Sequence, residues 1–213
     1  MEAQGIGYWL TKRAFLNGDR EAIVDGGRRV TYRELNDRVN RLSRALQSLG
    51  LRPGDRCALL AYNGLEYVEV ILAAAKMGLL LVPLNWRLSP AELAFNLSDS
   101  GTETLIFDPG FAGLIPGLVD QTPVRRLLVL GEEEAAGAPA YEKALARQPE
   151  QEPESGPFGL DTPHIIMYTA GTTGSPDAID ISSTTLNRRG NSCFVTFFAC
   201  PRDSMPPCPK IML

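Results

Sequence analysis

Histidine is almost missing from this chain of 213 residues: His164 is the only one. There are four cysteines, Cys57, Cys193, Cys200 and Cys208, and the last three crowd near the C-terminal end. With His164 far upstream of them, the spacing matches no zinc pattern, and a metal site is not expected. Basic clusters are also lacking. The nearest are the pairs Arg28-Arg29 and Arg125-Arg126, in a chain with 21 basic and 25 acidic residues, a net charge of -4 and a pI near 5.2. A phosphate backbone needs a basic face, so no nucleic-acid partner is expected. No apolar run reaches the roughly 18 residues of a transmembrane helix. The longest candidate, "YVEVILAAAKMGLLLVPL", is interrupted by Glu69 and Lys76. The N-terminus has no basic segment followed by an apolar one, so it does not read as a secretory signal, and the expected location is cytoplasmic. No internal repeat is visible.

What is present is ordinary for a globular protein, 44% hydrophobic and 22% charged, enough for a sizeable core. "EAIVDGGRRVTYREL" reads as a hairpin around Gly26-Gly27 that runs into a helix. Thr31 and Glu34 make a T-x-x-E capping box, in which each side chain satisfies an otherwise orphaned amide. Leu35, Val39, Leu42, Leu46 and Leu49 then recur at helical spacing on one face. Gly50 supplies a left-handed cap, and Pro53-Gly54-Asp55 a turn. "RCALLAY" and "LLLVPL" read as buried strands flanking a helix over about 66–77 that Gly78 closes. Ser89, Pro90 and Glu92 start another helix. "ETLIFD" and "RRLLVLG" are two further short strands with a helical segment between them. Strands and helices alternating in this way predict βαβ units, hence an α/β fold with a mainly parallel sheet and flanking helices. "GEEEAAGAPA" reads as a surface loop and "QPEQEPESGPFGLDTP" as a mobile linker with a solvated acidic face. Trp86 is expected to pack and Arg87 to anchor a loop. Cys57 is expected in the core, and His164 at the surface or a sheet edge, without a catalytic role.

"HIIMYTA" is a strand that runs directly into Gly171-Thr172-Thr173-Gly174. Glycines allow positive φ and close approach of the backbone to a ligand. Consecutive amides can form an anion nest, and threonine hydroxyls add donors that rotate to fit phosphate oxygens. The plainer alternative is a strand-to-helix turn. The loop is neither G-x-x-x-x-G-K-[ST] nor G-x-G-x-x-G. After Pro176 the sequence changes character: no helical period is sustained, and Pro201, Pro206, Pro207 and Pro209 crowd together.

"YTAGTTGSP" resembles the phosphate-loop signature of the adenylate-forming (AMP-binding) superfamily, which includes acyl-CoA synthetases. Its usual form is Y-T-S-G-T-T-G-x-P-K-G. Tyr168, Thr169, Gly171, Thr172, Thr173, Gly174 and Pro176 match. The stretch from "TYRELNDRVNRLSRALQSLG" through "LVPLNWRLSPAELAFNLSDSG" is similar in order and wording to the N-terminal region of fatty-acyl-CoA ligases. The resemblance covers about residues 8 to 176. It implies a partial N-terminal AMP-dependent synthetase domain over 1–176, followed over 177–213 by a divergent, poorly ordered tail. It also implies a two-step reaction of a small-molecule carboxylic acid with ATP, Mg2+ and coenzyme A. The carboxylate attacks the α-phosphorus, giving acyl-AMP and pyrophosphate, and the thiol then displaces AMP. Thr169, Gly171, Thr172, Thr173 and Gly174 would bind the β- and γ-phosphates.

The chain departs from the family pattern in three respects. Ala170 stands where the family has Ser. Asp177 and Ala178 stand where it has Lys and Gly, and an anion beside a polyphosphate is unfavourable by more than about 1 kcal/mol in a partly solvated site; the alternative is that Asp177 points to solvent. The family's later motifs, for adenine and Mg2+, for ribose, and the adenylation lysine, have no counterpart in this chain. No catalytic residue is therefore carried over. The expectation is a truncated family member, inactive by itself; the alternative is a non-catalytic module that binds nucleotide weakly or serves interaction alone. A frameshift, splice or assembly join at Asp177 would account for the change of character.

Overall fold

The computed structural model describes residues 5–154, 158–169, 177–182 and 210–211. Helix α1 (Ile6–Asn17) leads into the hairpin β1 (Glu21–Asp25) and β2 (Arg28–Thr31). Helix α2 (Tyr32–Ser48), β3 (Arg56–Leu60), α3 (Leu65–Met77), β4 (Leu80–Pro83), α4 (Pro90–Asp99) and β5 (Thr104–Phe107) come next. A 3-10 helix (Pro109–Leu114), α5 (Ile115–Gln121), β6 (Arg126–Val129), α6 (Tyr141–Ala146), β7 (Pro163–Thr169), β8 (Asp177–Ser182) and the short β9 (Lys210–Ile211) complete the order.

The main sheet has the order β6-β5-β3-β4-β7-β8. Its first five strands are parallel, and β8 runs antiparallel to β7. A smaller antiparallel sheet has the order β2-β1-β9. The α/β expectation of a mainly parallel sheet with flanking helices therefore holds. Its local signals hold as well. Thr31 Oγ1 accepts the Glu34 amide, and the Glu34 carboxylate accepts the Thr31 amide at 2.8 Å. Ser89 and Glu92 repeat the arrangement at the start of α4. At the end of α2 the Gly50 amide donates to the Gln47 carbonyl and the Leu51 amide to the Leu46 carbonyl, at 2.9 and 3.1 Å. With Gly50 at φ 90° this is a Schellman closure.

Strand alternation divides the core between the two faces of the sheet. Cys57, Leu59, Leu81, Ile106 and Leu128 belong to one cluster, covered by α1, α2, α3 and α6. Ala58, Leu60, Val82, Leu105, Phe107 and Val129 belong to the other, covered by α4, the 3-10 helix and α5. Cys57 is a core residue as expected, and burial pushes its thiol up to about 12.

One expectation gives way. The segment beginning "QPEQEPE" is no free linker as far as Glu154. Arg44 donates to the carbonyls of Gln151 and Glu152, and Asn40 to that of Glu150. The Glu152 carboxylate accepts from Lys76 at 2.7 and 2.8 Å and from Thr11 at 2.9 Å. Further on, the Gly5 amide donates to the Phe158 carbonyl, and the Phe158 ring lies where a Cβ on Gly78 would be, 2.3 Å away. Composition signals a linker here; the buried lysine beneath it makes it a strap. Beyond the loop, the described residues Asp177–Ser182 pair with β7 from Thr169↔Asp177 to Pro163↔Ser182, and Lys210–Ile211 pair with Val24 and Ile23 of β1.

Candidate functional site

Parallel strands deliver all their carboxyl ends to one edge of the sheet, the usual place for a ligand in open α/β folds. The connections after all five parallel strands, β3 to β7, leave from there. After β3, the Asp25 carboxylate accepts the Leu65 amide at 3.0 Å, so the first hairpin caps α3 from a distance and fixes the turn that carries Tyr62. After β4, Asn85 Oδ1 accepts the Arg87 amide at 3.0 Å and shapes the turn that presents Trp86. After β5, Asp108 Oδ1 accepts the Gly110 amide at 2.8 Å and starts the 3-10 helix that carries Phe111.

The three aromatics form a ledge. Tyr62 meets Trp86 edge-on with centroids 5.2 Å apart, and Phe111 at 5.0 Å with a tilt of 38°. The Arg87 guanidinium lies 5.0 Å from the Trp86 ring centre, a cation–π contact on the exposed side. Trp86 packs, as its sequence context predicts; Arg87 stacks on it. Tyr62 and Phe111 carry no motif in the sequence. Their common signal is position: each follows the carboxyl end of a parallel strand.

The predicted phosphate loop leaves the same edge. Thr169 is the last residue of β7 and pairs with Asp177, the first of β8. Gly171, Thr172, Thr173 and Gly174 lie outside the described residues, as do Ala170, Ser175 and Pro176. What is described is the mouth of the loop: two adjacent antiparallel strands. The Tyr168 hydroxyl donates to Asp99 Oδ2 at 2.7 Å, tying the end of β7 to α4.

His164 is not at the surface. It is the second residue of β7 and only 5% exposed. Its Nδ1 lies 3.1 Å from the Thr162 carbonyl oxygen. That contact assigns the proton to Nδ1 and leaves Nε2, which is buried without a partner among the described residues. Burial lowers its pKa, so the ring is neutral. β7 lies between β4 and β8, so His164 is not at a sheet edge either.

Two buried charge networks brace the first face of the sheet. Arg38 donates to Glu69 at 2.5 and 3.1 Å and to Glu142 at 2.6 and 3.1 Å, and the Tyr141 hydroxyl donates to Glu69 at 2.7 Å. Burial works against the Arg38 charge, but the bonds to Glu142 and Glu69 overcome it and hold its pKa above the ordinary value. Burial raises the Glu69 carboxyl, with Arg38 opposing. The Lys76 ammonium donates to Asn36, Asn40 and Glu152. Desolvation dominates at Lys76 and lowers its pKa. At half-exposed Glu152 desolvation is outweighed by the Lys76 bonds and charge, and the carboxyl falls below its ordinary value.

Among the described residues no group of three or more His, Cys, Asp or Glu side chains is placed to hold a metal ion. No helix among them is long and apolar enough to cross a membrane.

A mainly parallel sheet with helices on both faces defines a class, the open, doubly wound α/β folds. Comparison with known proteins narrows it. The family described as "AMP-binding enzyme" matches residues 10–206, and the chain belongs to this family. The match runs past Pro176, where the resemblance read from the sequence ends. A feruloyl-CoA synthase from Amycolatopsis is 38% identical over 176 residues, 83% of this chain and 33% of the relative. The long-chain-fatty-acid–CoA ligase FadD13 of Mycobacterium tuberculosis is 34% identical over 178 residues, 83% of this chain and 34% of the relative. The chain thus spans about a third of the length of these curated relatives. Among solved structures, the N-terminal domain of FACL13 from Mycobacterium tuberculosis superposes with a TM-score of 0.76 at 32% identity, over 84% of this chain and 44% of that one. The anthranilate CoA ligase AuaEII, solved with anthranoyl-AMP, gives 0.80 at 24% identity over 86% and 35%, a likeness of fold.

Proposed function

We propose that this chain is the N-terminal part of an ATP-dependent acyl-CoA synthetase, with its phosphate loop at residues 169–176. The reaction of the whole enzyme joins a carboxylate to the α-phosphorus of ATP, releases pyrophosphate, and passes the acyl group from AMP to the coenzyme A thiol. One observation carries this reading: the run Thr169-Ala170-Gly171-Thr172-Thr173-Gly174-Ser175-Pro176 leaves the carboxyl end of β7 in a chain of this family. In it the amides and hydroxyls of Thr169, Gly171, Thr172, Thr173 and Gly174 bind the β- and γ-phosphates. They stabilise the charge that accumulates on the leaving pyrophosphate without having to reorganise. Mg2+ would offset charge in the displacement, and no step here is assigned to it. The division at residue 176 belongs to the same proposal: 1–176 as synthetase domain, 177–213 as divergent tail. So does a cytoplasmic location.

By itself the chain binds ATP weakly and does not adenylate. A second reading, a non-catalytic module for nucleotide binding or interaction, is favoured by Asp177 and Ala178 in place of Lys and Gly. ATP–pyrophosphate exchange on the purified chain tests activity, with a panel that includes ferulate and long-chain fatty acids because both classes occur among the relatives' names. No exchange is expected; robust exchange with any acid refutes inactivity. Equilibrium dialysis with ATP tests the loop. Thr172→Ala with Thr173→Ala is expected to weaken binding roughly tenfold, and unchanged binding would remove the loop from the site.

A further inference from the structure

Helix α1 has two apolar faces, and among the described residues only one of them is covered. Ile6, Leu10 and Ala14 pack into the core. Gly7 lies so close to α3 that a Cβ there would fall 2.7 Å from the Lys76 backbone nitrogen. The opposite face carries Tyr8, Trp9, Phe15 and Leu16, exposed by 48, 40, 86 and 59%. At helical spacing these form one stripe. Lys12 sits in its middle, three or four residues from each of the four. Arg13 lies beside the stripe, and Arg20 follows the helix three residues after its end. All three basic side chains belong to exposed residues and make no ion pair among the described residues. This patch is basic in a chain whose net charge is -4.

We propose that the outward face of α1 docks on an anionic lipid surface. A protein partner would have to strip water from Lys12 at the centre of the contact, and protein interfaces are depleted of lysine there. A lipid interface has no such cost: the lysine stem lies along the acyl boundary while its ammonium reaches the phosphates. Trp9 and Tyr8 suit the headgroup layer, where an apolar ring with one polar atom is favoured. Phe15 and Leu16 enter the acyl boundary, and Arg13 and Arg20 meet anionic headgroups. Twelve residues span only about 18 Å, so the helix lies in the plane of the interface while its other face stays anchored to α2 and α3. The inference is independent of the phosphate loop.

Flotation of the full chain tests it, with vesicles of phosphatidylcholine containing roughly one-third phosphatidylglycerol set against phosphatidylcholine alone. Recovery with the anionic vesicles is expected to be roughly tenfold higher or more, and to collapse in high salt. Phe15→Ser with Leu16→Ser should abolish it, and Lys12→Glu with Arg13→Glu should reduce it to the neutral-vesicle level. The substituted side chains are outside the core, so the thermal unfolding midpoint should not move. Equal recovery on neutral vesicles, or flotation indifferent to the serine variant, overturns the proposal. So does a concentration-dependent dimer dispersed by the same variants without vesicle binding, which puts a second copy on this face.

Discussion

The two faces of the main sheet are buried by different means. On the face covered by α1, α2, α3 and α6, two ionised side chains of α3, Glu69 and Lys76, are held among partners, the first by Arg38 and Tyr141 and the second by Asn36, Asn40 and Glu152. On the face covered by α4 and α5 the packing is aliphatic and aromatic, with Leu60, Leu93, Leu97, Leu105 and Phe107 fully enclosed. A paired charge resists removal of its partner, because what remains is a charge without solvent. A packed leucine resists only the loss of its own volume. The first kind of burial specifies which segment lies over which; the second supplies cohesion with little choice of partner.

The largest effect should come from breaking a pair. Arg38→Ala leaves the fully buried Glu69 with Tyr141 alone, and should cost roughly 3–5 kcal/mol in urea unfolding. Adding Glu69→Leu should recover most of that loss. If the double variant is no better than the single, the first face is not organised by charge and the contrast fails. On the second face, Leu93→Ala should cost roughly 2–5 kcal/mol through the cavity it leaves, with no partner substitution that restores it. The smallest effect is acidic. The folded Glu152 carboxyl is below its ordinary value of 4.5, so the unfolded chain takes up its proton first as pH falls. The stability that Glu152 contributes is complete above about pH 4.5 and is lost as pH drops through the lower folded value. Glu152→Gln should flatten that part of the stability–pH curve. The side chain is nearly half exposed, which limits the change to under about 1 kcal/mol. A slope unchanged by the substitution would detach Glu152 from the strap's stability.

Most of the sheet can be read from the sequence because its signals are local. Capping boxes at Thr31 and Ser89, the apolar stripe of α2, the Gly50 and Gly78 closures and the short apolar strands each lie within a few neighbouring residues. The strap is illegible for the opposite reason: Lys76 and Glu152 are 76 positions apart, and a Pro/Glu-rich stretch gives no sign of the cation it will meet. His164 is misjudged because its burial depends on β7 lying between β4 and β8, a pairing that no neighbouring residue announces. Of the site, the Gly/Thr loop is legible by its composition and by the strand before it. The aromatic ledge is not, since Tyr62, Trp86 and Phe111 come together only when β3, β4 and β5 lie side by side.

The rung Thr169↔Asp177 has a consequence for how this region can change. Neighbouring strands stand about 5 Å apart, so the chain leaves and re-enters the sheet at nearly the same point. The entropy of bringing those ends together is met by the ladder and not by the seven residues between them. Substitutions, and even insertions, between the two rung residues can thus be tried by evolution or by an engineer without renegotiating the sheet. Restoring the family's Lys and Gly, by contrast, alters Asp177 and Ala178, which belong to β8 itself. The affinity of the loop and the integrity of the hairpin are separately heritable on one side of that rung and inherited together on the other.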